Sequence, residues 1–406
     1  MLDMYDHPTQ FEPLLIAPER PSYRRLIGLA EELVESTSRL EALVPDKTAI
    51  GLRDLVDGMN CYYSNLIEGH HTRPIDIQQA MQHDFSGDKK QKDMQHLAEA
   101  HIRTAQWAKE VSLLDNIKIT PFIIETHRRF CSGLPASLLT LEDKSQMVPG
   151  SIRHGEVKVG RHVPPKNEAI GEFLTRFDSV YSRVLAKADS GGLEKLEAIS
   201  ASMMAHHRLV WVHPFPDGNG RVARIVLDAM LKRSGVASIG LWSMSRGLAK
   251  SEKDYKNKLD AADEPRMGDL DGRGNLSEQR LSEFCEFTLH VAKDQVDFMT
   301  KMFSLEKLEQ RCWQYFNVMQ DSIRPEAARL YLHAFQRGEF ERGEAGRLTG
   351  LAERTARDVL ASMVKTGFLV SDSPKGKVRA GFPLQALGSL FPNLYPAGDL
   401  DSAITI

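Results

Sequence analysis

One short segment, HPFPDGNGR over 213–221, separates two stretches of helical periodicity and limits the fold more than any other part of the chain. Before it, apolar residues recur at three- and four-residue steps, which predicts a helix over 196–210. Pro214 and Pro216 prevent that helix from continuing, because proline has no amide hydrogen and clashes with the preceding turn. Apolar periodicity resumes over 222–235, so the sequence predicts a helix, a loop and a second helix.

The entrance of the second helix has the composition of an anion-binding site. Helix N-termini present unpaired N–H groups and the positive end of the helix dipole. Gly218 and Gly220 let a phosphate approach the backbone closely. Asn219 adds a neutral donor, while Arg221 and Arg224 lie three residues apart, where both can point at a polyphosphate. The segment therefore predicts a site for a nucleotide triphosphate.

Two titratable side chains complete this segment. Asp217 would repel a phosphate directly, so we interpret it as acting through a divalent cation, and Mg²⁺ favours one or two carboxylates plus phosphate oxygens. His213, with an ordinary pKa of about 6.5, can accept the proton of an incoming hydroxyl at neutral pH. A dinucleotide fingerprint would need a preceding strand, and a P-loop would need a lysine; this segment has neither.

The complete pattern His-x-Phe-x-Asp-Gly-Asn-Gly-Arg-x-x-Arg over 213–224 resembles the signature of Fic-domain proteins. This resemblance implies transfer of AMP from ATP to a Ser, Thr or Tyr hydroxyl of a target protein. It also implies a role for each signature residue: general base for His213, apolar loop anchor for Phe215, Mg²⁺ ligand for Asp217, anion hole for Gly218, Asn219 and Gly220, phosphate contact for Arg221, and γ-phosphate orientation for Arg224.

The sequence SNLIEG, from Ser64 to Gly69, resembles the inhibitory motif that many Fic proteins carry on an N-terminal helix. Taken alone, the residues predict an amphipathic helix that ends at Gly69. The resemblance implies that Glu68 pairs with Arg224, occupies the space of the γ-phosphate and leaves ATP in an unproductive pose. The same glutamate could instead activate a water that removes AMP from a modified target, and the sequence leaves both roles open.

Residues 151–165, here called the flap, predict a β-hairpin that turns at Gly160. In Fic proteins such a flap aligns the target segment beside the catalytic histidine by strand pairing, which is a general mode of peptide recognition. The resemblance therefore implies a docking role for Val157, Lys158, Val159 and Gly160. A surface hairpin without a function is the alternative.

Further along, Ser245, Arg246 and Tyr255 lie where similar proteins close the nucleotide site, which implies that Tyr255 stacks on the adenine or contacts its edge. The usual double tyrosine of that stretch is absent. The pair His206 and His207 does not have the spacing of a zinc helix, so we interpret both as helix residues and His206 as a support for the loop.

Length and composition agree with a multi-domain enzyme. The chain has 406 residues, 42% of them hydrophobic, which is enough for two or three cores. Strand signals are sparse, so the fold class is all-α with one small hairpin. Residues 1–10 lack a signal sequence, and no apolar run could span a membrane, which predicts a cytoplasmic protein. Four scattered cysteines predict no disulfide or zinc framework.

These landmarks divide the chain into four predicted parts. Residues 1–100 form an N-terminal helical region with the inhibitory helix, and residues 101–300 form the catalytic core. Residues 301–323 form a helical connector, and residues 324–406 form a winged-helix domain and a tail. A charged, glycine-containing loop over 263–274 lies beside the site.

The winged-helix prediction depends on the order helix, helix-turn-helix, hairpin over 324–385. This segment has eleven Lys or Arg against seven Asp or Glu, a net charge of +4 in a chain whose total is −3. Its second helix would bury an apolar stripe and expose a face for DNA. The exposed candidates on that face are Arg354, Thr355, Arg357 and Lys365. Winged helices also bind proteins, so both kinds of partner remain open.

Two classes of function follow from the sequence. In the first, the chain is an autoinhibited protein adenylyltransferase whose C-terminal domain selects a target or a DNA site. In the second, it is a DNA-binding regulator whose pocket senses a nucleotide; the intact His213 favours the first. Transfer of another group, such as UMP, phosphocholine or phosphate, and combined addition and removal of AMP are further alternatives. The family resemblance also implies a homodimer.

Overall fold

A computed structural model describes residues 5–111, 118–319 and 323–401. Small portions of the predicted parts lie outside the described residues. These are 1–4 of the N-terminal region, 112–117 of the catalytic core, 320–322 of the connector and 402–406 of the tail.

Secondary structure within the described ranges is mainly helical, as predicted. The only named sheet there is a two-stranded antiparallel one, in which β1 (Leu369–Val370) pairs with β2 (Arg379–Ala380). The helices are α1 (Pro21–Leu43), α2 (Asp46–Ile67), α3 (Pro74–Met81), α4 (Lys89–Val111), α5 (Ile119–Ser132), α6 (Ala136–Leu139), α7 (Ile170–Ala186), α8 (Gly192–Val212), α9 (Asn219–Arg233), α10 (Met244–Lys250), α11 (Glu252–Ala262), α12 (Glu278–Phe303), α13 (Leu305–Val318), α14 (Ala327–Arg337), α15 (Ala345–Thr349), α16 (Glu353–Lys365), α17 (Leu384–Leu390) and α18 (Ala397–Asp401).

The predicted helix–loop–helix unit is present as α8, a loop and α9. α8 ends at Val212, and His213 adopts a left-handed backbone with φ 50° that turns the chain out of the helix. Gly218, with φ 79°, starts α9, because glycine reaches this left-handed region without steric cost. We call residues 213–220 the catalytic loop, after the role that the family resemblance implies for them.

α8 is the central helix of the catalytic core. It is buried over most of its circumference and packs against α1, α7, α9 and α12. Burial over most of 198–212 fixes the end of α8 and with it the start of the catalytic loop. The loop therefore starts at the end of a buried helix.

The predicted β-hairpin in the flap is wrong in extent. The flap contains a single antiparallel bridge, Val159 to His162, around Gly160 with φ 58°. A longer ladder cannot form, because the second strand would run into Pro164 and Pro165, which have no N–H to donate. The flap is thus an irregular loop with one tight turn.

The C-terminal module, residues 323–401, contains the predicted order of elements. α14 is followed by α15, a turn at Gly350 with φ 73°, and α16. A bridge from Phe340 to Val378 extends the sheet of β1 and β2. Assignment of this module to the winged-helix class stays a prediction.

Two composition-based predictions can be compared with the described residues. None of the helices there is both long enough and apolar enough to cross a bilayer. The four cysteines are free and buried.

Candidate functional site

A cavity of about 700 Å³ opens where the catalytic loop, α2, the flap and α11 meet. The residues that line it include His213, Glu68, Gly220, Arg224 and Tyr255. Gly69, Val159 and Gly160 also line it, so the structure brings together eight of the predicted site residues, from four separate parts of the sequence.

The catalytic loop is closed by its own side chains. Asn219 accepts a hydrogen bond from the Phe215 N–H at 2.9 Å and donates to the Phe215 carbonyl at 2.8 Å. Phe215 is 1% exposed and stacks on the His127 ring with centroids 3.9 Å apart. Phe215 therefore lies where an anchor should lie. The Asn219 side-chain amide closes the loop, and the predicted place of Asn219 in the anion hole stays a prediction.

Arg153, which sequence reasoning missed, attaches the flap to the catalytic loop. It is 2% exposed, and its Nε donates to the His213 carbonyl at 2.9 Å. Its backbone N–H donates to the Pro214 carbonyl, also at 2.9 Å. Its guanidinium further donates to the carbonyls of Gly155 and Pro165 in the flap. One buried cation thus fixes the backbone that presents His213.

His213 is half-buried, and burial lowers the pKa of its imidazole to about 4. The ring is therefore neutral at pH 7 and can accept a proton. His127 supports the loop from the other side: its Nδ1 accepts from the Gly150 N–H at 2.9 Å, and its Nε2 lies 3.3 Å from the Asp217 carbonyl.

Arg221 and Asp217 differ sharply in exposure. The Arg221 side chain is 4% exposed, and its guanidinium lies over the Phe130 ring at 5.1 Å. Its Nε has no hydrogen-bond partner among the described residues, and Asp217 lies 3.7 Å from its Nη2. The Asp217 side chain is 54% exposed and accepts from the Gly218 N–H at 2.5 Å. The site thus places the buried Arg221 guanidinium, which is incompletely hydrogen-bonded, beside the exposed Asp217 carboxylate.

Arg224 is tied to α2 by three hydrogen bonds. Its Nε donates to Ser64 Oγ at 2.9 Å, and its Nη2 donates to the Ser64 carbonyl at 2.9 Å and to Glu68 Oε1 at 2.6 Å. The Glu68 carboxylate lies directly against Gly220, so closely that a Cβ on Gly220 would overlap it. Burial alone would raise the pKa of Glu68, but Arg224 and Arg221 lower it. An ionised carboxylate therefore occupies the N-terminus of α9. Gly69, with φ 77°, follows directly after Glu68 at the end of α2.

Tyr255 lines the cavity but is largely enclosed by protein, so its contact with adenine stays a prediction, whereas Arg246 does not line the cavity. Tyr255 is 3% exposed; its hydroxyl lies 2.9 Å from His206 Nε2, and its ring packs near His206 and Phe284, which leaves little surface for adenine. Arg246 lies over Phe298 at 3.8 Å, away from the cavity, and Ser245 is buried beside it. His206 Nδ1 lies 3.2 Å from the Ala223 carbonyl, so this histidine supports α9 rather than a metal.

Three flap residues, Val159, Gly160 and His162, line the cavity, whereas Val157 and Lys158 do not contribute to its lining. The turn is held by His162, whose Nε2 lies 2.7 Å from the Trp211 carbonyl and whose Nδ1 lies 3.2 Å from Asp263. Asp263 also lies 3.3 Å from His207 on α8. The predicted loop over 263–274 therefore contributes a carboxylate that fastens the flap.

We expect Asp263→Asn to loosen the flap. The substitution removes the charge that holds His162, and hydrogen bonds to charged groups are worth about 1.5–3 kcal/mol. Trypsin should then cleave at the exposed Arg161 roughly 3- to 10-fold faster than in the native chain. Asp269→Asn, an exposed change in the same loop, serves as the matched control. Equal cleavage rates in all three proteins would exclude this fastening role.

Because several histidines are enclosed by protein, the free energy of unfolding should decrease at acidic pH. Burial lowers the pKa of His101 and His206 to about 3 and the pKa of His127 and His213 to about 4. Unfolded histidines bind protons near pH 6.5, so the unfolded state binds more protons between about pH 6.5 and 4. The free energy of unfolding should therefore decrease as pH falls through that window, by roughly 1.4 kcal/mol per pH unit for each histidine.

Urea unfolding between pH 7.5 and 5 measures this slope. His101→Gln should reduce the slope, because both ring nitrogens of His101 are buried without a hydrogen-bond partner among the described residues. The exposed His154→Gln should leave the slope unchanged. A native chain whose stability is flat over this range would contradict the burial argument.

Comparison with known proteins identifies the domain that carries this site. Residues 119–231 match the Fic/DOC family. The protein adenylyltransferase Fic of Drosophila erecta is 30% identical over 125 residues, which are 30% of this chain and 22% of that protein. The protein of the same name from Nematostella vectensis is 34% identical over 113 residues, 28% of this chain and 22% of that protein. The chain thus spans about a fifth of the length of these relatives.

A crystal structure of a Fic domain containing signaling protein from Bacteroides thetaiotaomicron is also similar. It is 17% identical, covers 66% of this chain and 96% of its own, and superimposes with a TM-score of 0.51. At that identity the similarity shows the fold alone. Together these matches confirm the predicted Fic domain and its mainly helical fold.

Proposed function

We propose that this chain, which carries a Fic domain over 119–231, is a protein adenylyltransferase that transfers AMP from ATP to a hydroxyl of a target protein. One observation carries the proposal: the neutral His213 imidazole lines the same cavity as the N-terminus of α9, where Arg221 and Arg224 are buried. This arrangement pairs a proton acceptor with a site for a triphosphate. The curated relatives that match the domain are named for this activity.

The nucleotide would bind with its phosphates at the start of α9. Gly220 allows close approach of a phosphate oxygen, and Arg221 offers a buried guanidinium that is incompletely paired. Asp217 fits a Mg²⁺ site, since its carboxylate is half exposed beside this position and Mg²⁺ takes one or two carboxylates with phosphate oxygens. When bound, the cation would neutralise phosphate charge.

In the chemical step, His213 accepts the proton of the target hydroxyl. The hydroxyl oxygen forms a bond to the α-phosphorus, the bond from that phosphorus to the β-phosphate oxygen breaks, and pyrophosphate leaves. The proton then passes from His213 to solvent. Phosphoryl-type transfer depends mainly on positioning and charge stabilisation, so the residues of this site suffice without a covalent protein intermediate.

We further propose that the described conformation is autoinhibited. Glu68 holds Arg224 at 2.6 Å and covers Gly220, so its carboxylate takes the place of a phosphate at the α9 N-terminus. An ATP γ-phosphate would meet a negative charge and an arginine that is already engaged. The alternative role, in which Glu68 activates a water to remove AMP, uses the same geometry.

The test of this function is transfer of label from ATP labelled at the α- or the γ-phosphate, with Mg²⁺ and the Glu68→Gly variant. Label on protein from α-labelled ATP alone supports AMP transfer. Label from the γ-position would show phosphate transfer instead. Displacement of the signal by unlabelled UTP or a choline-containing nucleotide would point to another transferred group. Release of AMP from a labelled protein by the native chain would support the removal role.

A second proposal is that the C-terminal module binds DNA through α16. Arg354, Arg357 and Lys365 are exposed on this helix and Thr355 is half-buried, while Val359, Leu360 and Met363 face the core. Binding of labelled duplex DNA should weaken with salt and be lost in Arg354→Ala/Lys365→Ala. Arg24→Ala on α1 is the control.

We also propose a cytoplasmic location, with which the buried free cysteines agree. The proposed homodimer is tested by measuring the oligomeric state in solution.

A further inference from the structure

The C-terminal module lies along α2, the helix that carries Ser64 and Glu68. Near the start of α2, Thr48 donates to the Phe335 carbonyl at 2.8 Å, and Gly51 lies close to the Phe382 ring. Farther along, Gly58 approaches the Tyr395 hydroxyl. The contacts therefore follow α2 for most of its length and reach the turn that precedes the inhibitory residues.

Residues 391–399, which we call the strap, contact the C-terminal part of α2. Tyr63 donates to the Leu394 carbonyl at 3.0 Å, and the Tyr62 hydroxyl bonds to Asp399. Tyr395 is 5% exposed and meets the Tyr62 ring edge to face, with centroids 5.4 Å apart. Tyr62 and Tyr63 immediately precede Ser64, so the strap contacts α2 next to the residue that accepts hydrogen bonds from Arg224.

The strap is itself fixed to the catalytic core. The Arg246 guanidinium donates to the Asn393 carbonyl at 2.7 Å and to Gln295 on α12 at 2.7 Å, and it lies over Phe298. The arginine that the sequence assigned to the nucleotide site thus anchors the strap. Because α10 packs against both α2 and α12, the strap and α2 are attached to the same part of the core.

These contacts oppose any movement that would free Arg224. Ser64 and Glu68 project from the last turns of α2, and the carboxylate can leave Gly220 only if those turns unwind or α2 shifts. A shift of α2 would break the strap bonds of Tyr62 and Tyr63. The strap contacts therefore stabilise the closed state, in which Glu68 covers Gly220 and binds Arg224.

We propose that the strap clamps α2 in the position where Glu68 covers the ATP site, so that release of the C-terminal module relieves the inhibition. This inference rests on the proposed transferase function and names the regulation of its site. The face of the module that carries α16 is turned to solvent, whereas α14 and β2 contact α2. A ligand that binds the released module more tightly than the docked module would raise the rate of AMP transfer. The increase would be at most the ratio of its affinities for these two states.

Tyr62→Phe/Tyr63→Phe tests the clamp, because it removes two hydroxyls that bond the strap and keeps both rings. Each hydrogen bond contributes about 1 kcal/mol, so transfer in the otherwise native chain should rise roughly 5- to 30-fold. In a Glu68→Gly background the same changes should have no further effect, since the inhibitory group is already gone. Tyr331→Phe is the matched control; it removes one tyrosine bond, to the Gly381 carbonyl inside the module, and leaves the strap bonds of Tyr62 and Tyr63 in place.

Hydrogen exchange gives a readout that does not need activity. The N–H groups of Glu68 and His70 bond to the Asn65 carbonyl at 3.1 and 2.9 Å, so their exchange reports the end of α2. Faster exchange at these amides in Tyr62→Phe/Tyr63→Phe, but not in Tyr331→Phe, supports the clamp. The single variant Tyr63→Phe replaces the double variant if the latter fails to fold.

The failures of the two proposals are distinguishable. If Glu68→Gly is inactive but Tyr62→Phe/Tyr63→Phe exchanges faster at the end of α2, the proposed transferase function is contradicted. The proposed clamping of α2 by the strap is then still supported. An active Glu68→Gly, together with a strap variant whose transfer and exchange equal those of the native chain, would overturn the clamp. An increase that persists in the Glu68→Gly background would also overturn it, because the strap would then act through something other than Glu68.

Discussion

Glu68→Gly is expected to raise the rate of AMP transfer about 10- to 100-fold. The carboxylate makes a charge-assisted bond to Arg224 at 2.6 Å and covers Gly220, so it competes with the γ-phosphate for the same guanidinium and space. Bonds of this kind are worth about 1.5–3 kcal/mol, and 1.4 kcal/mol is tenfold in a population. Incorporation of label from α-labelled ATP, measured as an initial rate at saturating Mg²⁺, gives the ratio.

The matched comparison is Glu68→Gln. It removes the charge but keeps a side chain against Gly220, so its rate should lie between those of the native chain and Glu68→Gly. Glu353→Gln, which breaks an exposed pair with Arg357, should have no effect. If the native chain and Glu68→Gly transferred AMP at the same rate, Glu68 would not be inhibitory.

His213→Ala is expected to reduce transfer by about 10²- to 10⁴-fold, the usual contribution of a general base. Burial holds the pKa of His213 at about 4, so the neutral ring is the dominant form at pH 7 and its loss removes the proton acceptor. Binding of ATP should change little, because the phosphate-binding groups belong to α9. Titration calorimetry with a non-hydrolysable ATP analogue separates the two effects.

His154→Ala, an exposed change in the flap, controls for general loss of flap structure and should retain activity. A His213→Ala variant that keeps more than about a tenth of the rate would show that another group accepts the proton. Loss of ATP binding along with activity would instead show that His213 supports the pocket.

The helix–loop–helix unit was predictable because its determinants are adjacent in sequence. Pro214, Pro216 and Gly218 act on local backbone geometry, and the apolar periodicity on either side requires no tertiary information. The contact between Glu68 and Arg224 joins residues 156 positions apart, and only the family resemblance pointed to it. The structure brings the two side chains together.

Other parts of the site could not be predicted from local patterns. Arg153 fixes the catalytic loop through carbonyl groups, and nothing in its neighbouring residues marks it as buried. Asp263 fastens the flap from a loop about a hundred residues away, and its role depends on how α11 packs. The flap hairpin failed for a local reason, because Pro164 and Pro165 interrupt the ladder, a signal that the sequence did contain.

The packing of the C-terminal module on α2 was not part of the sequence prediction. The elements of the module were predicted in order, but as a domain separated from the N-terminal region by a connector. In the structure, Tyr62 and Tyr63 on α2 bond to the strap over sequence separations of more than 300 residues. Such packing between surfaces has no periodic signature, since buried aromatic residues serve a core and an interface alike.

The most direct test of the central claim compares AMP incorporation from α-labelled ATP by the native chain, Glu68→Gly and Glu68→Gly/His213→Ala under identical conditions with Mg²⁺. The account predicts strong labelling of protein by Glu68→Gly, weak labelling by the native chain and background labelling by the double variant. Absence of label in all three, while each still binds ATP, would contradict adenylyl transfer at this site.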